Sequence, residues 1–274
     1  MKTASFDGPY GAVAYRESTG TGHPVVLVHG NSASSHAFER QLTAPLGRTL
    51  RLIALDLPGH GRSADATDLS AYGLQGYART LVAFARGLGI TEAVFVGWSL
   101  GGHIVLEAAP DLAQARGFMI FGTPPLGFPP AMDRAFLPNP AMNIGFASEI
   151  TREQAEQYAE AAFRPGQTEV PPVFVEDIVR TDGRARAQLA ASIAPDGYRD
   201  EIEVVARLDQ PLAVLHGAQE QLVNGAYFDG LAMPTLWRGA VQTFPEAGHM
   251  PQWEDTDGFN RLLQDFVSDA TRPR

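Results

Sequence analysis

Gly97-Trp98-Ser99-Leu100-Gly101-Gly102, preceded by Ala93-Val94-Phe95-Val96 and followed by His103-Ile104-Val105-Leu106-Glu107-Ala108, is the stretch around which the chain is organised. An apolar run rich in β-branched and aromatic residues meets glycine, serine and more glycine, then takes up helical spacing. That succession reads as strand, tight turn and helix. A serine at the apex of such a turn is held with strained torsions, and glycine at 97 and 101 removes the Cβ atoms that the sharp fold would drive together. The turn lifts the Ser99 hydroxyl clear of the sheet edge and points the Leu100 amide into the space before it, as one half of an oxyanion hole. In a chain with 28 glycines the five-residue pattern alone arises readily by chance. Its weight comes from the strand before it and the helix after it.

Working outward, strands and helices alternate. Val25-Val26-Leu27-Val28 is a short, continuously apolar run suited to a strand buried on both faces. It stops at the small-residue loop His29-Gly30-Asn31-Ser32-Ala33-Ser34-Ser35, after which a helix is expected from about His36 to Leu46. The Asn31 amide, beside a glycine that lets the backbone approach a ligand, is the candidate for the second oxyanion donor. Leu50 to Leu55 is the next strand, closed by the turn Asp56-Leu57-Pro58-Gly59-His60-Gly61-Arg62-Ser63, and Tyr72 to Leu88 carries an amphipathic helical pattern. Gly117 to Phe121 is a further buried strand, and Gly11 to Ser18 an early, loosely alternating one. The expected fold is α/β: a mostly parallel, doubly wound sheet covered by helices, with ligands at the carboxyl ends of its strands.

From 124 to 209 the pattern is helical, broken by prolines and without strands. Thr151-Arg152-Glu153-Gln154 is a capping box opening a helix to about Phe163, and Val173–Thr181 and Arg184–Ile193 read as two more. This stretch is too long for a connecting loop. It is expected to be a cap subdomain over a core made of residues 1–123 and 210–274. Its Phe128, Met132, Phe136, Met142, Phe146, Tyr158 and Phe163 either line an apolar pocket or fill the cap's own core. The sheet resumes at Leu212 to Leu215 and Val241 to Phe244, and a helix over about Gly258 to Ser268 closes the chain.

Composition bounds the function. Thirty-one acidic against 21 basic residues give a net charge of −10, a poor match to nucleic acid or an anionic membrane. With no cysteine there is no disulfide, thiolate metal site or cysteine nucleophile. Residues 1–9 lack the apolar core of a secretion signal and no run approaches membrane-spanning length, so cytoplasmic residence is the expectation.

A serine needs a neutral imidazole to take its proton and a carboxylate to fix that imidazole. Of seven histidines, His249 alone lies in a loop after the final strand, flanked by Gly248 and Pro251. Among the acids, Glu220 occupies the loop after the strand at 212–215, whereas Asp209 precedes that strand and Glu246 and Glu254 share the loop of His249. Trp98, beside the serine, and His29, heading the first loop, are candidates for contacting substrate.

His29-Gly30-Asn31, Asp56 to Ser63, Gly97 to Gly102, His216-Gly217 with Glu220, and Ala247 to Pro251 together resemble the α/β-hydrolase fold superfamily over nearly the whole chain outside the cap. The resemblance implies a Ser99, Glu220 and His249 triad, with the oxyanion hole at the amides of Asn31 and Leu100. Many members carry aspartate where this chain has Glu220. The expected chemistry is hydrolysis of a carboxylic ester through an acyl-enzyme, acting on a small and largely apolar substrate, with no metal or organic cofactor implied. The same triad also serves carbon–carbon, lactone and amide cleavage. Related lyases and cofactor-free dioxygenases use the histidine alone as base, and receptors keep the triad as a relic. A homodimer is left open.

Overall fold

The structure, a computed structural model, describes residues 1–167 and 169–272. Strands β1 (Lys2–Gly8), β2 (Gly11–Glu17), β3 (Pro24–Val28), β4 (Arg51–Leu55), β5 (Val94–Trp98), β6 (Gly117–Phe121), β7 (Leu212–Gly217) and β8 (Gln242–Phe244) form one sheet in the order β1-β2-β4-β3-β5-β6-β7-β8. β2 runs antiparallel to β1 and β4, and every other pair is parallel. Register places Val28 opposite Gly97 and Trp98 opposite Phe121, so the loops after β3, β5 and β6 leave the same edge side by side.

The continuous apolar strands feed two cores. Val26, Val28, Phe118 and Ile120 face α3 (Leu74–Gly87) and α4 (Leu100–Ala108), while Val25, Leu27, Met119 and Phe121 face α11 (Thr256–Ala270). Successive side chains point to opposite faces, and here both faces are covered.

The helix expected over His36–Leu46 is instead a 3-10 turn at Ser35–Phe38, then α1 (Glu39–Thr43) and α2 (Leu46–Thr49). Pro45 removes an amide donor and ends the first run. The helix expected from Tyr72 begins at Leu74, after a 3-10 turn capped by the Asp68 side chain. Strand β1 was not expected: it is an edge strand, exposed along much of its length, and its sequence has no apolar run to betray it.

Between β6 and β7 lie α5 (Met132–Ala135), α6 (Arg152–Ala161), α7 (Pro172–Arg180), α8 (Gly183–Ser192) and α9 (Glu201–Arg207). The Thr151/Gln154 capping box opens α6 in both directions. Arg186, buried on α8, donates to the carbonyls of Ile178 and Thr181 at the end of α7 and to those of Ala147 and Ser148. A single guanidinium thereby meets two carbonyl acceptors at the end of that helix. The short α10 (Pro251–Glu254) follows the last strand and leads into α11.

Candidate active site

β5 ends at Trp98, and Ser99 takes φ 53° and ψ −120° before α4 begins. That conformation costs a non-glycine residue about 1–3 kcal/mol and needs surroundings that enforce it. Thr123 Oγ1 donates to the Ser99 carbonyl at 2.8 Å, and the Ser99 amide donates to the Phe121 carbonyl at 2.8 Å. A Cβ on Gly97 would lie 2.3 Å from the Gly101 carbonyl oxygen, and one on Gly101 would lie 2.1 Å from that of Val28. The two glycines are therefore required by the approach of α4 to the sheet. Leu100 opens α4, where a backbone amide has no acceptor within its own helix.

His249 stands in the loop between β8 and α10, with Nδ1 2.8 Å from Glu220 Oε2 and 3.1 Å from Oε1. Both side chains are almost completely buried. Burial pushes the Glu220 carboxyl up, but the charge and hydrogen bond of His249, the Leu222 amide and His216 outweigh it and hold the carboxyl below its ordinary range. An ionised carboxylate only accepts, so Nδ1 carries the proton and Nε2 is left as the basic nitrogen. The ring lies against Gly122, where a Cβ would come within 2.6 Å of its Cε1. Glu254 accepts from the amides of Gly248 (2.7 Å) and Arg164 (2.9 Å), tying the histidine loop to the helical insertion.

Two cavities meet at this point. One of about 770 Å³ and another of about 440 Å³ are both lined by Asn31, Ser99, Tyr158, Leu222 and His249. Met132, Phe136, Met142, Phe146 and Tyr158 of the insertion line the larger one, as does Leu100. Of the other two insertion aromatics singled out from the sequence, Phe163 packs on Phe174 in the core and Phe128 is exposed. Asn31 Nδ2 donates to the Gly145 carbonyl of the insertion at 2.6 Å.

The remaining expectations divide. Trp98 lines the smaller cavity, and its Nε1 donates to the His249 carbonyl at 2.9 Å, so it also holds the histidine's backbone. His29 does not reach either cavity. Its ring is wholly buried, with Nδ1 on the Gly30 carbonyl (2.8 Å) and Nε2 accepting from the Leu57 amide (2.9 Å), so both polar atoms are used within the turns. Burial lowers its pKa to about 4 and that of neighbouring His60 to about 3. Spacing left Thr123 and the His103–Glu201 pair unnoticed. His103 follows Ser99 by four residues and so shares its helix face, a signal the sequence carries, whereas Glu201 is 98 residues further on. Among the described residues no cluster of three metal-ligating side chains occurs and no helix is long and apolar enough to cross a membrane.

Residues 25–262 match the model of the alpha/beta hydrolase family. Solved structures of an N-acyl homoserine lactonase, AidH, are 33% identical and superpose with a TM-score of 0.95 over all of this chain and 98–100% of theirs. One is a serine-to-glycine mutant complexed with N-hexanoyl homoserine lactone. Another, covering 99% of that chain, is complexed with N-butanoyl homoserine. A pimeloyl-[acyl-carrier protein] methyl ester esterase of Xylella fastidiosa is 28% identical over 276 residues, covering 94% of this chain and all of that one. The acetyltransferase component of the acetoin cleaving system of Cupriavidus necator is 28% identical over 259 residues; 92% of this chain matches, spanning 65% of that longer protein.

Proposed function

This chain belongs to the alpha/beta hydrolase family, and from that premise we propose that it is a serine hydrolase that opens lactones and related carboxylic esters bearing an apolar acyl group, through an acyl-enzyme on Ser99. The observation that carries the reading is a strained serine and a carboxylate-held histidine opening into one apolar cavity. His249 Nε2 takes the Ser99 proton as the hydroxyl adds to the substrate carbonyl. The amides of Asn31 and Leu100 receive the oxyanion, an interaction worth about 10²- to 10³-fold in rate for each donor. Collapse expels the alcohol, which takes the proton from His249. In a lactone that alcohol stays tethered to the acyl group, so ring opening yields a hydroxy-acyl enzyme. Water, deprotonated by His249, then releases the hydroxy acid.

Lactone substrates are favoured over simple esters by the likeness over full length to a lactonase whose structures hold an acyl homoserine lactone and an acyl homoserine. The helical insertion acts as the cap, its aromatic and methionine side chains excluding water from the acyl group. Glu220 orients the imidazole and stabilises its cation.

The test is proton release on incubation with N-hexanoyl homoserine lactone, beside a p-nitrophenyl ester series and fluorophosphonate labelling read by intact mass. The wild type should gain one adduct and turn over lactone, and Ser99→Ala should do neither. A folded wild type that stays unlabelled while consuming substrate would move the chemistry to proton abstraction by His249 without a covalent intermediate.

A further inference from the structure

A second histidine–carboxylate pair faces the same cavity and the triad does not use it. His103 stands one turn along α4 from Ser99, on the same face of the helix, and lines the larger cavity together with Glu201. Its Nδ1 lies 2.9 Å from each carboxylate oxygen of Glu201. Glu201 is almost wholly buried, and it fastens the neck of the insertion: Oε2 accepts from the Leu126 amide at 2.7 Å, while its own amide donates to the Leu126 carbonyl at 2.8 Å. Holding α4 to that neck requires only Nδ1. Among the described residues no protein group bonds Nε2.

The wall around this pair is apolar, formed by Leu74, Leu126, Met132, Phe136, Leu189 and Ile193. Tyr198 also lines it but spends its hydroxyl on the Gly127 carbonyl at 2.7 Å. A polar atom facing an apolar chamber is costly unless something in the chamber bonds it. We propose that His103 determines specificity for the acyl part of the substrate, its Nε2 hydrogen-bonding a hydroxyl group carried on the acyl chain, with Glu201 as its positioning residue. A hydroxyl fits this nitrogen in both states of the ring, donating to the lone pair of the neutral form or accepting from the N–H of the cation. A keto oxygen fits only the cation. The rise of about 6 Å over the four residues from Ser99 to His103 sets that hydroxyl roughly four to six bonds from the carbonyl under attack.

The assignment of an acyl part rests on the Ser99 reading above, so the test measures binding separately from turnover. N-hexanoyl and N-(3-hydroxyhexanoyl) homoserine lactone are titrated calorimetrically into Ser99→Ala, alone and combined with His103→Leu. With His103 present the hydroxylated ligand should bind about tenfold more tightly, in the range of one net hydrogen bond. With leucine the ratio should fall to near one through loss of affinity for the hydroxylated ligand alone. His103→Leu leaves the buried Glu201 carboxylate with the Leu126 amide but no imidazole, so the triple variant Ser99→Ala/His103→Leu/Glu201→Gln, in which the amide oxygen still accepts from Leu126, must show the same loss of discrimination. The same ratio should appear in kcat/KM when Ser99 is restored. An unchanged ratio, or equal weakening of both ligands, would reduce His103 to a structural tie and overturn the proposal. If binding discriminates but the Ser99 enzyme hydrolyses neither lactone, the hydrolase reading fails while the assignment of His103 stands.

Discussion

Glu220 decides what His249 can do. Because the buried carboxyl is held below its ordinary range by the charge and hydrogen bonds around it, it is ionised throughout neutral pH and keeps the imidazole proton on Nδ1. Glu220→Gln keeps the shape but supplies an amide that can equally donate to Nδ1, leaving Nε2 in the wrong tautomer. The expected outcome is a fall of about 10³- to 10⁴-fold in kcat with thermal stability and KM little changed, measured by steady-state lactone hydrolysis and a melting curve. Glu220→Asp retains the charge one methylene further back and should fall between the two. The placement of Ser99, Glu220 and His249 at neighbouring strand ends was legible because each follows a strand and is marked by glycine or by its chain order. His29 misled for a related reason: it too follows a strand, but sequence does not report that both ring nitrogens are taken by neighbouring backbone. Its burial is a property of two turns meeting, not of any local pattern.

At the scale of elements, the helices that declare their own ends were readable and the others were not. The Thr151 box and the prolines before α7 fixed those starts within a residue or two. Pro45 was available as a breaker and splits the single helix expected over His36–Leu46. α9 lies where charged residues hide the apolar spacing, although Asp200 caps it by accepting from Glu203. What sequence lacks altogether is how the insertion is fastened down. Asp177 on α7 is buried, accepts from Ser34 Oγ at 2.6 Å and lies 3.1 Å from His36 Nδ1, both on the loop after β3. Ala33 on that loop and Ile178 beside Asp177 line the smaller cavity. Asp177→Ala leaves the Ser34 hydroxyl only His36, whose Nδ1 lies 2.9 Å away and whose amide donates to it at 3.1 Å, and removes the polar tie between α7 and that loop. The expected cost is about 1–3 kcal/mol, at roughly 2–4 °C of Tm per kcal/mol for a chain of this size. Because the loop also carries Asn31, KM for lactone should rise in the same variant, and an unchanged Tm would mean that α7 is held by its apolar face alone.

Over the whole molecule, the sheet's strand ends gather Ser99, Glu220 and His249 while its turns bury histidines that stay neutral at neutral pH, and the second fact shapes the protein's response to acid. His29 and His60 are wholly buried with ring centroids 5.2 Å apart, and their pKa values fall to about 4 and about 3. His60 has a buried Nε2 with no partner among the described residues, so a proton there would be taken up with no compensating acceptor. Both values lie below that of free histidine, so as pH falls the unfolded chain binds these protons first. The stability gained from keeping the rings neutral is complete above about pH 6.5 and is lost progressively as pH falls toward the folded values. Each ring contributes a slope of up to about 1.4 kcal/mol per pH unit across that window. Glu220 acts in the same direction lower down: its depressed carboxyl stabilises the fold above the ordinary carboxylate range and loses that contribution as pH drops through the folded value. Urea midpoints followed by tryptophan fluorescence should therefore fall steadily from pH 6.5 to 4.5, well before general acid unfolding. His60→Asn presents an amide N–H to the Pro58 carbonyl that Nδ1 now meets at 3.0 Å. It should be less stable at pH 7.5 yet lose distinctly less stability over the same window, because one of the two most strongly depressed rings is gone. Equal slopes in the two proteins would mean that His60 takes up its proton alike in the folded and unfolded chains, and the acid sensitivity would then belong to His29 and the remaining groups.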